Sequence, residues 1–111
     1  HKLYLSTTTT LLKNNSFTKV KPLLGRTGKP VANQYIITKC DLNGKADKWF
    51  QSYDSTIAYI DSYSGRVELD YKYWNYSVTT SKYRNQFLNE STQETQAKIN
   101  SGEYKLVDLN N

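Results

Sequence analysis

The sequence has one cysteine, one histidine and no methionine, and it contains no long apolar run. Because Cys40 is alone, an internal disulfide cannot form and no cysteine cluster can hold zinc, which fits a reducing cytoplasm. The only histidine is His1, so we expect no histidine base for a nucleophilic triad. No run approaches the roughly 18 apolar residues that cross a bilayer, and the first twenty residues lack the apolar block of a secretory signal. We therefore expect a soluble, cytoplasmic protein.

Length and charge bound the organisation of the chain. A chain of 111 residues fits one domain with a single modest core, and we divide it into a basic, loop-rich segment (1–30) and an α+β core (31–111). The net charge of +5 is uneven: residues 1–50 hold nine Lys/Arg against two Asp, and residues 51–111 hold six against eight Asp/Glu. A basic half attracts polyanions, although lysines also simply keep a small protein in solution.

Turn signals and alternating residues predict a mostly antiparallel sheet of four or five strands. Residues 13–30 contain two prolines and two glycines and are predicted to form a loop. The Asn43-Gly44 pair favours a hairpin turn. Val67, Leu69 and Tyr71 alternate with polar residues, which predicts a strand with one core face and one solvated face. The predicted strands are residues 33–39, 48–53, 55–61 and 66–71, and residues 2–12 and 103–109 have the extended or strand-like character from which a fifth would come.

Two helices are predicted near the carboxyl end, on one face of the sheet. From Ser77 onward, Thr79, Tyr83 and Phe87 recur at four-residue steps with Leu88 beside them, which is typical of a buried helical stripe. Residues 91–94 read Ser-Thr-Gln-Glu, the form of a capping box, so a second helix should begin there. It should end at Gly102, because glycine tolerates the left-handed conformation after a helix end. The predicted class is α+β.

No motif in the chain predicts an established chemistry. Residues 24–31 read LGRTGKPV, but a phosphate-binding loop needs four residues between its glycines and a hydroxyl residue after the lysine. Asp54, Asp61, Glu68 and Asp70 are close in sequence and could serve a metal-dependent nuclease. They fall on turns or on the exposed side of a strand, so a solvated face is the favoured interpretation. We expect no enzyme activity, no cofactor and no metal.

Cations and aromatic residues suggest a docking surface instead. The stretch YKYWNYSVTTSKYRNQFL (71–88) contains more rings and cations than its strand and helix can bury. Such residues dominate recognition surfaces and single-stranded nucleic acid grooves, although rings at a strand-to-helix corner can also simply seal the core. The predicted partner-binding residues are Lys19, Lys21, Arg26, Lys29, Tyr73, Trp74, Tyr76, Lys82 and Arg84.

Four segments carry a resemblance to a family of small proteins of phages and other mobile elements in low-GC Gram-positive bacteria. They read GKPVANQYII, WFQSYDSTIAYID, RVELDYKYWNYSVTTSKYRNQFL and ETQAKINSGEYKLVDLN, over about residues 28–110. The resemblance carries over no activity and no catalytic residues. It implies a context in which small accessory proteins blunt host immunity, including the RNA-guided nuclease of CRISPR systems.

The leading hypothesis is therefore a non-enzymatic, anti-CRISPR-like inhibitor that binds a host defence nuclease or nucleoprotein. The alternative is a regulatory protein that binds nucleic acid directly, with its two carboxy-terminal helices acting as a degenerate helix-turn-helix. No membrane is expected as a partner, and the oligomeric state stays open.

Overall fold

The computed structural model describes residues 9–11 by their backbone and residues 17–111 with their side chains. These residues form seven strands and two helices. In chain order the elements are β1 (Thr9–Leu11), β2 (Phe17–Leu24), β3 (Pro30–Cys40), β4 (Ala46–Ser52), β5 (Ser55–Ile60), β6 (Val67–Asp70), α1 (Val78–Leu88), α2 (Thr92–Ser101) and β7 (Lys105–Val107). The α+β class predicted from the sequence is confirmed. Most of the segment 2–12, predicted as a strand, lies outside the described residues.

The strands form one sheet in which spatial order follows sequence order from β1 to β7. Strands β1 to β6 pair antiparallel with their neighbours, while β7 returns after the helices and pairs parallel with β6. The sheet is therefore mostly antiparallel, as predicted, but larger than four or five strands. Hairpin connections keep each pairing local in sequence, and the helical crossover supplies the one parallel pair.

The prediction of a loop over residues 13–30 is wrong for Phe17–Leu24, which forms β2 and pairs with β3. The segment gave no strand signal because lysines, not apolar residues, occupy alternate positions along it. Pro22, one of the two prolines on which the loop prediction rested, pairs with Tyr35 of β3. The register shifts between Pro22 and Leu24, and such an irregularity is a place where a strand accommodates proline. Part of the basic segment 1–30 therefore belongs to the same sheet as the strands of the predicted α+β core (31–111).

Side-chain caps define both helices. Ser77 caps α1 by accepting from the amide of Thr80 at 3.0 Å. The predicted capping box is confirmed at α2, where Ser91 accepts from the Glu94 amide and Glu94 accepts from the Ser91 amide. Gly102 ends α2 with φ 86°, as predicted. Neither α1, with 11 residues, nor α2, with 10, has the length and apolar character of a membrane-crossing helix.

The core lies between the helices and one face of the sheet. Phe50 of β4 is fully buried and stacks on Phe87 of α1, with 5.8 Å between ring centroids. Aromatic pairs of this kind stabilise beyond the area that they bury. Within residues 17–111, the buried hydrophobic residues are Leu23, Phe50, Ile57, Ala58, Val67, Leu69 and Tyr104.

The predicted alternation fails at the end of β6. Tyr71, assigned to the core, is 59% exposed, and Asp70, assigned to the solvated side, is 1% exposed. The strand ends at Asp70 and a turn follows, so the period of two stops there. The Asp70 carboxylate accepts from the amides of Lys72, Tyr73 and Leu109, which offsets the cost of its burial.

Candidate functional site: a basic groove beside helix α1

Alternate residues of β2 face the same side of the sheet as the core. The register pairs Lys21 with Ile36, which in turn pairs with buried Phe50. It pairs Lys19 with Thr38, which pairs with Lys48. Because neighbouring strands lie about 4.8 Å apart, Lys19 and Lys48 flank Thr38 at about 10 Å from each other. Three lysines therefore lie on the helix side of the sheet, beyond the part that the core fills.

These lysines line a groove between the sheet and α1. Its volume is about 550 Å³, and Gln86 and Phe87 of α1 form its other wall. A second hollow of about 480 Å³ contains Arg26 and Lys82, and Gln86 lines it as well. The two hollows meet at Gln86, whose side chain donates to the carbonyl of Leu24. We call them together the basic groove, and its five cations are Lys19, Lys21, Arg26, Lys48 and Lys82.

The charge of the basic groove is not neutralised by neighbouring side chains. Among the residues that the structure describes, no aspartate or glutamate lines either hollow. Within the described part of the chain, none of the five cations lies in an ion pair, whereas Lys45, Arg66 and Lys98 do. Like charges gathered at the surface raise the local concentration of anions. The floor adds apolar contact area from Ile36, Phe87 and the partly buried Cys40.

The structure brings together four of the predicted partner-binding residues: Lys19, Lys21, Arg26 and Lys82. Lys29 is exposed in the same turn as Arg26, which is closed by hydrogen bonds between Gly25 and Lys29 and between Gly28 and Gly25. Sequence analysis missed Lys48 and Gln86. A period-two reading from Phe50 would have placed Lys48 on the groove side of its strand.

The predicted aromatic contacts are only partly available. Tyr76 is 49% exposed and packs edge-on against Tyr73, with 5.2 Å between ring centroids. Tyr73 and Trp74 are partly buried and pack against the core, so they also seal the corner between β6 and α1. The prediction of Arg84 as a surface contact is wrong, because this side chain is 0% exposed.

The arginine is buried because oxygen atoms surround its guanidinium. Nη1 donates to the carbonyl of Trp74 and to Asn75 Oδ1, and Nη2 donates to Asn85 Oδ1 and Thr92 Oγ1, both at 2.8 Å. The guanidinium also lies 5.0 Å from the centroid of the Trp74 ring. Burial lowers the pKa of Arg84, and the charge of Glu90 opposes this effect. Arginine nevertheless stays charged in proteins, so a cation lies inside the helix layer.

Three of the four carboxylates considered for metal chemistry, Asp61, Glu68 and Asp70, have structural partners. Asp61 and Asp70 are buried, contrary to the prediction of a solvated face, while Asp54 is exposed. Asp61 caps a turn by accepting from the amides of Tyr63 and Ser64, and the first of these bonds holds the pKa of its carboxyl below the usual value. In residues 17–111, no group of three His, Cys, Asp or Glu side chains is placed to hold a metal ion.

Comparison with known proteins places the chain in a family. The model of DUF8033, a family of unknown function, matches residues 18–103. This range runs from β2 past the end of α2, so it includes the whole basic groove. Neither a search of curated proteins nor a search of solved structures found a match.

Proposed function

We propose that this chain, which belongs to the DUF8033 family, is a non-enzymatic inhibitor that docks through its basic groove on a host defence nucleoprotein. The observation that supports the docking is the set of five cations that line one groove with neither a carboxylate nor an ion pair among the described residues. Such a surface is complementary to phosphates or to an acidic protein patch. The inhibitory role and the bacterial cytoplasm as its location rest on the resemblance to phage and mobile-element proteins.

The positive charge of the basic groove excludes one mode of inhibition, the imitation of nucleic acid. A protein that imitates nucleic acid must present a negative surface to the channel of a nuclease. This groove is positive, so we infer that it engages an anionic component of the target, such as the phosphates of a guide or substrate strand. Occupying that component would exclude the substrate or hold the nucleoprotein inactive.

A groove variant tests this proposal. The triple replacement Lys19→Gln, Lys21→Gln and Lys48→Gln should weaken binding to the target nucleoprotein by at least about tenfold, because each lost contact removes a fraction of a kcal/mol or more. The reporter is Cys40, the only cysteine, which lines the groove and can be labelled with a fluorophore. Cleavage of a target by an RNA-guided nuclease, with and without the protein, gives the functional result.

The matched control removes three lysines elsewhere. Lys39, Lys72 and Lys105 are exposed, and Lys39 is on the opposite sheet face from Lys19 and Lys48 because its register neighbours are Thr18 and Asp47. Their triple replacement by glutamine has the same net charge as the groove variant and should bind like the original protein. Equal loss in both variants would show that net charge, not the groove, drives binding. Unchanged target cleavage would contradict the inhibitory role.

The groove also supports direct nucleic acid binding as a second candidate. Its apolar floor and cationic walls resemble the combination that binds single strands. A helix-turn-helix arrangement is less well supported, because α2 has a single cation, Lys98, and that side chain is paired with Glu90 at 2.7 Å. Free oligonucleotides should then bind with a salt slope of about 0.7 per phosphate contact. Absence of binding at low salt would remove this candidate.

A further inference from the structure

A hollow lies on the face of the sheet opposite the helices. The register places it there, because Tyr35 pairs with Gln51 and each is next to a residue of the core side, Ile36 and Phe50. Successive side chains of a strand point to opposite faces, so Tyr35 and Gln51 point away from the helices. We call this hollow, whose volume is about 370 Å³, the tyrosine hollow. The sheet separates it from the basic groove.

The lining of the tyrosine hollow combines rings, amides and one carboxylate. Val20 and Ile37, which are register partners on β2 and β3, contribute aliphatic side chains. The other lining residues are Asn33, Tyr35, Gln51, Tyr53 and Asp54. Among the residues that the structure describes, no lysine or arginine lines this hollow. Its charge is therefore opposite in sign to that of the basic groove.

Several groups in this lining are free to accept a ligand. Gln51 Nε2 donates to the carbonyl of Tyr53 at 2.7 Å, which leaves Gln51 Oε1 as an acceptor. Within residues 17–111, the Asp54 carboxylate lies in no ion pair. In the same range, the rings of Tyr35 and Tyr53 contact no other ring and no cation. The free groups are thus acceptors and ring faces, which call for a ligand that donates hydrogen bonds.

Two residues of the lining have a left-handed backbone. Asn33 has φ 64° and Tyr53 has φ 55°, and the Tyr53 amide donates to the Asn33 carbonyl at 2.7 Å. Asparagine adopts this conformation readily, whereas a bulky residue rarely does. Tyr53 is the first of two residues between β4 and β5, a position where a hairpin turn with positive φ usually has glycine. The tyrosine is 50% exposed, so burial in the core does not explain it. Backbone strain of this kind clusters at ligand sites.

The chemistry of the lining favours a planar cation. The faces of tyrosine rings attract cations, and the Asp54 carboxylate attracts cations and repels phosphates. The cations of the basic groove are across the sheet, and salt screens exposed charges beyond about 8 Å. Lys39 shares the face of the hollow but is four residues beyond Tyr35 in β3, at about 13 Å. A guanidinium fits better than an ammonium, because it stacks flat on a ring while its edge donates to oxygen atoms.

We propose that the tyrosine hollow binds an arginine side chain presented by a partner protein. The guanidinium stacks on the rings of Tyr35 and Tyr53 and donates to Asp54 and to Gln51 Oε1. The aliphatic part of the arginine contacts the aliphatic side chains of the lining. This site is independent of the basic groove, because it takes a cation and lies on the other face of the sheet.

The test titrates a capped peptide, Gly-Gly-Arg-Gly-Gly, into the purified protein, followed by the backbone amide resonances. Shifts should concentrate at residues 33–37 and 51–54. The matched peptide has citrulline in place of arginine, which keeps the shape and removes the charge, and it should bind at least about tenfold more weakly. Asp54→Asn should weaken binding of the arginine peptide by a similar factor. The groove variant with Lys19, Lys21 and Lys48 replaced should bind this peptide like the original protein, so this proposal and the docking proposal can fail separately.

Tyr53→Gly distinguishes a binding role of the tyrosine from a structural one. Glycine adopts positive φ without a Cβ clash, so we expect a melting temperature that is equal to or above that of the original protein. Binding of the arginine peptide should fall by at least about tenfold, because one ring face is lost. A purely structural tyrosine predicts a lower melting temperature with unchanged binding. Asp54→Asn leaves the backbone of the turn intact and decides the proposal if Tyr53→Gly does not fold. Equal binding of the citrulline peptide, scattered shifts, or full binding by Asp54→Asn overturns the proposal.

Discussion

Replacement of Arg84 by methionine should lower the free energy of unfolding by about 3 kcal/mol. Methionine retains much of the aliphatic bulk, so a large cavity does not form. It has no donor, however, and leaves the carbonyl of Trp74, Asn85 Oδ1 and Thr92 Oγ1 without the guanidinium that now serves them. Asn85 and Thr92 keep only their hydrogen bonds to each other, so each of the three acceptors loses its bond to a charged donor, at about 1 kcal/mol each. These bonds join the 71–77 turn, α1 and α2, so their loss should loosen the whole helix layer.

Urea denaturation gives the measurement, and the melting temperature should fall by about 12 °C or more. Lys82→Met is the matched control, because it removes a cation two residues away on the exposed side of α1 and should change stability by about 0.5 kcal/mol or less. Arg84→Lys should recover only part of the lost stability, since the single ammonium nitrogen of lysine cannot reach the acceptors of both Nη1 and Nη2. A methionine variant as stable as the original would mean that relief of charge burial outweighs the lost hydrogen bonds.

The burial of Arg84 could not be predicted from its own helix. The stripe of Thr79, Tyr83, Phe87 and Leu88 suggested one inward face, and cations are normally exposed. In the structure Thr79 is exposed and Thr80 is the buried residue of that turn, bonded to Ser52 of β4. The buried face of α1 is therefore rotated away from the predicted stripe and includes two polar residues, Thr80 and Arg84. The oxygen partners of Arg84 outside α1 are the carbonyl of Trp74, Asn75 Oδ1 and Thr92 Oγ1, and no period within α1 reveals them.

Features set by neighbouring residues were predictable. The hairpin at Asn43-Gly44, the capping box at Ser91 and the helix end at Gly102 are all present, because each depends on contacts within a few residues. Only Gly44 of the hairpin pair has positive φ, at 86°, and the Asp41 side chain accepts from the amides of Asn43 and Lys45 to close the turn.

Features set by distant residues were not predictable. Asp70 was assigned to solvent, yet one of its oxygens accepts from the amide of Leu109, 39 residues later. The basic groove has the same origin. Lys19 and Lys21 were predicted as contacts from charge alone, but only the register of three strands places them beside Lys48. The local sequence therefore identified the cations, whereas only the long-range pairing of the strands shows that they share one surface.

Replacement of Glu90 by alanine should lower the free energy of unfolding by about 2 to 3 kcal/mol. Its carboxylate links three parts of the carboxy-terminal region by accepting from Lys98 Nζ at 2.7 Å, Thr95 Oγ1 at 2.6 Å and Tyr104 Oη at 2.9 Å. Thr95 keeps a second acceptor in the carbonyl of Ser91, and Lys98 can be hydrated. The loss falls mainly on Tyr104, whose buried hydroxyl has no other acceptor among the described residues. The control is Glu103→Ala, which removes an exposed carboxylate next to Tyr104 in sequence and should leave stability unchanged.

The pH dependence of stability separates the charge of Glu90 from its shape. Burial alone would raise the pKa of Glu90, but the three donors together hold it below its usual value. A carboxyl with a lowered pKa in the folded state stabilises at neutral pH, and this contribution disappears as the pH falls below about 4.3. Glu90→Gln should therefore be less stable at pH 7 and show a shallower loss of stability in acid, with a remaining slope from Asp61 and Glu94, whose pKa values are also lowered. On the alkaline side, burial and the bond to Glu90 raise the pKa of Tyr104 to about 12, so the stability of the original protein should fall as the pH rises above about 10. Parallel acid curves for Glu90→Gln and the original protein would contradict the role assigned to this carboxylate.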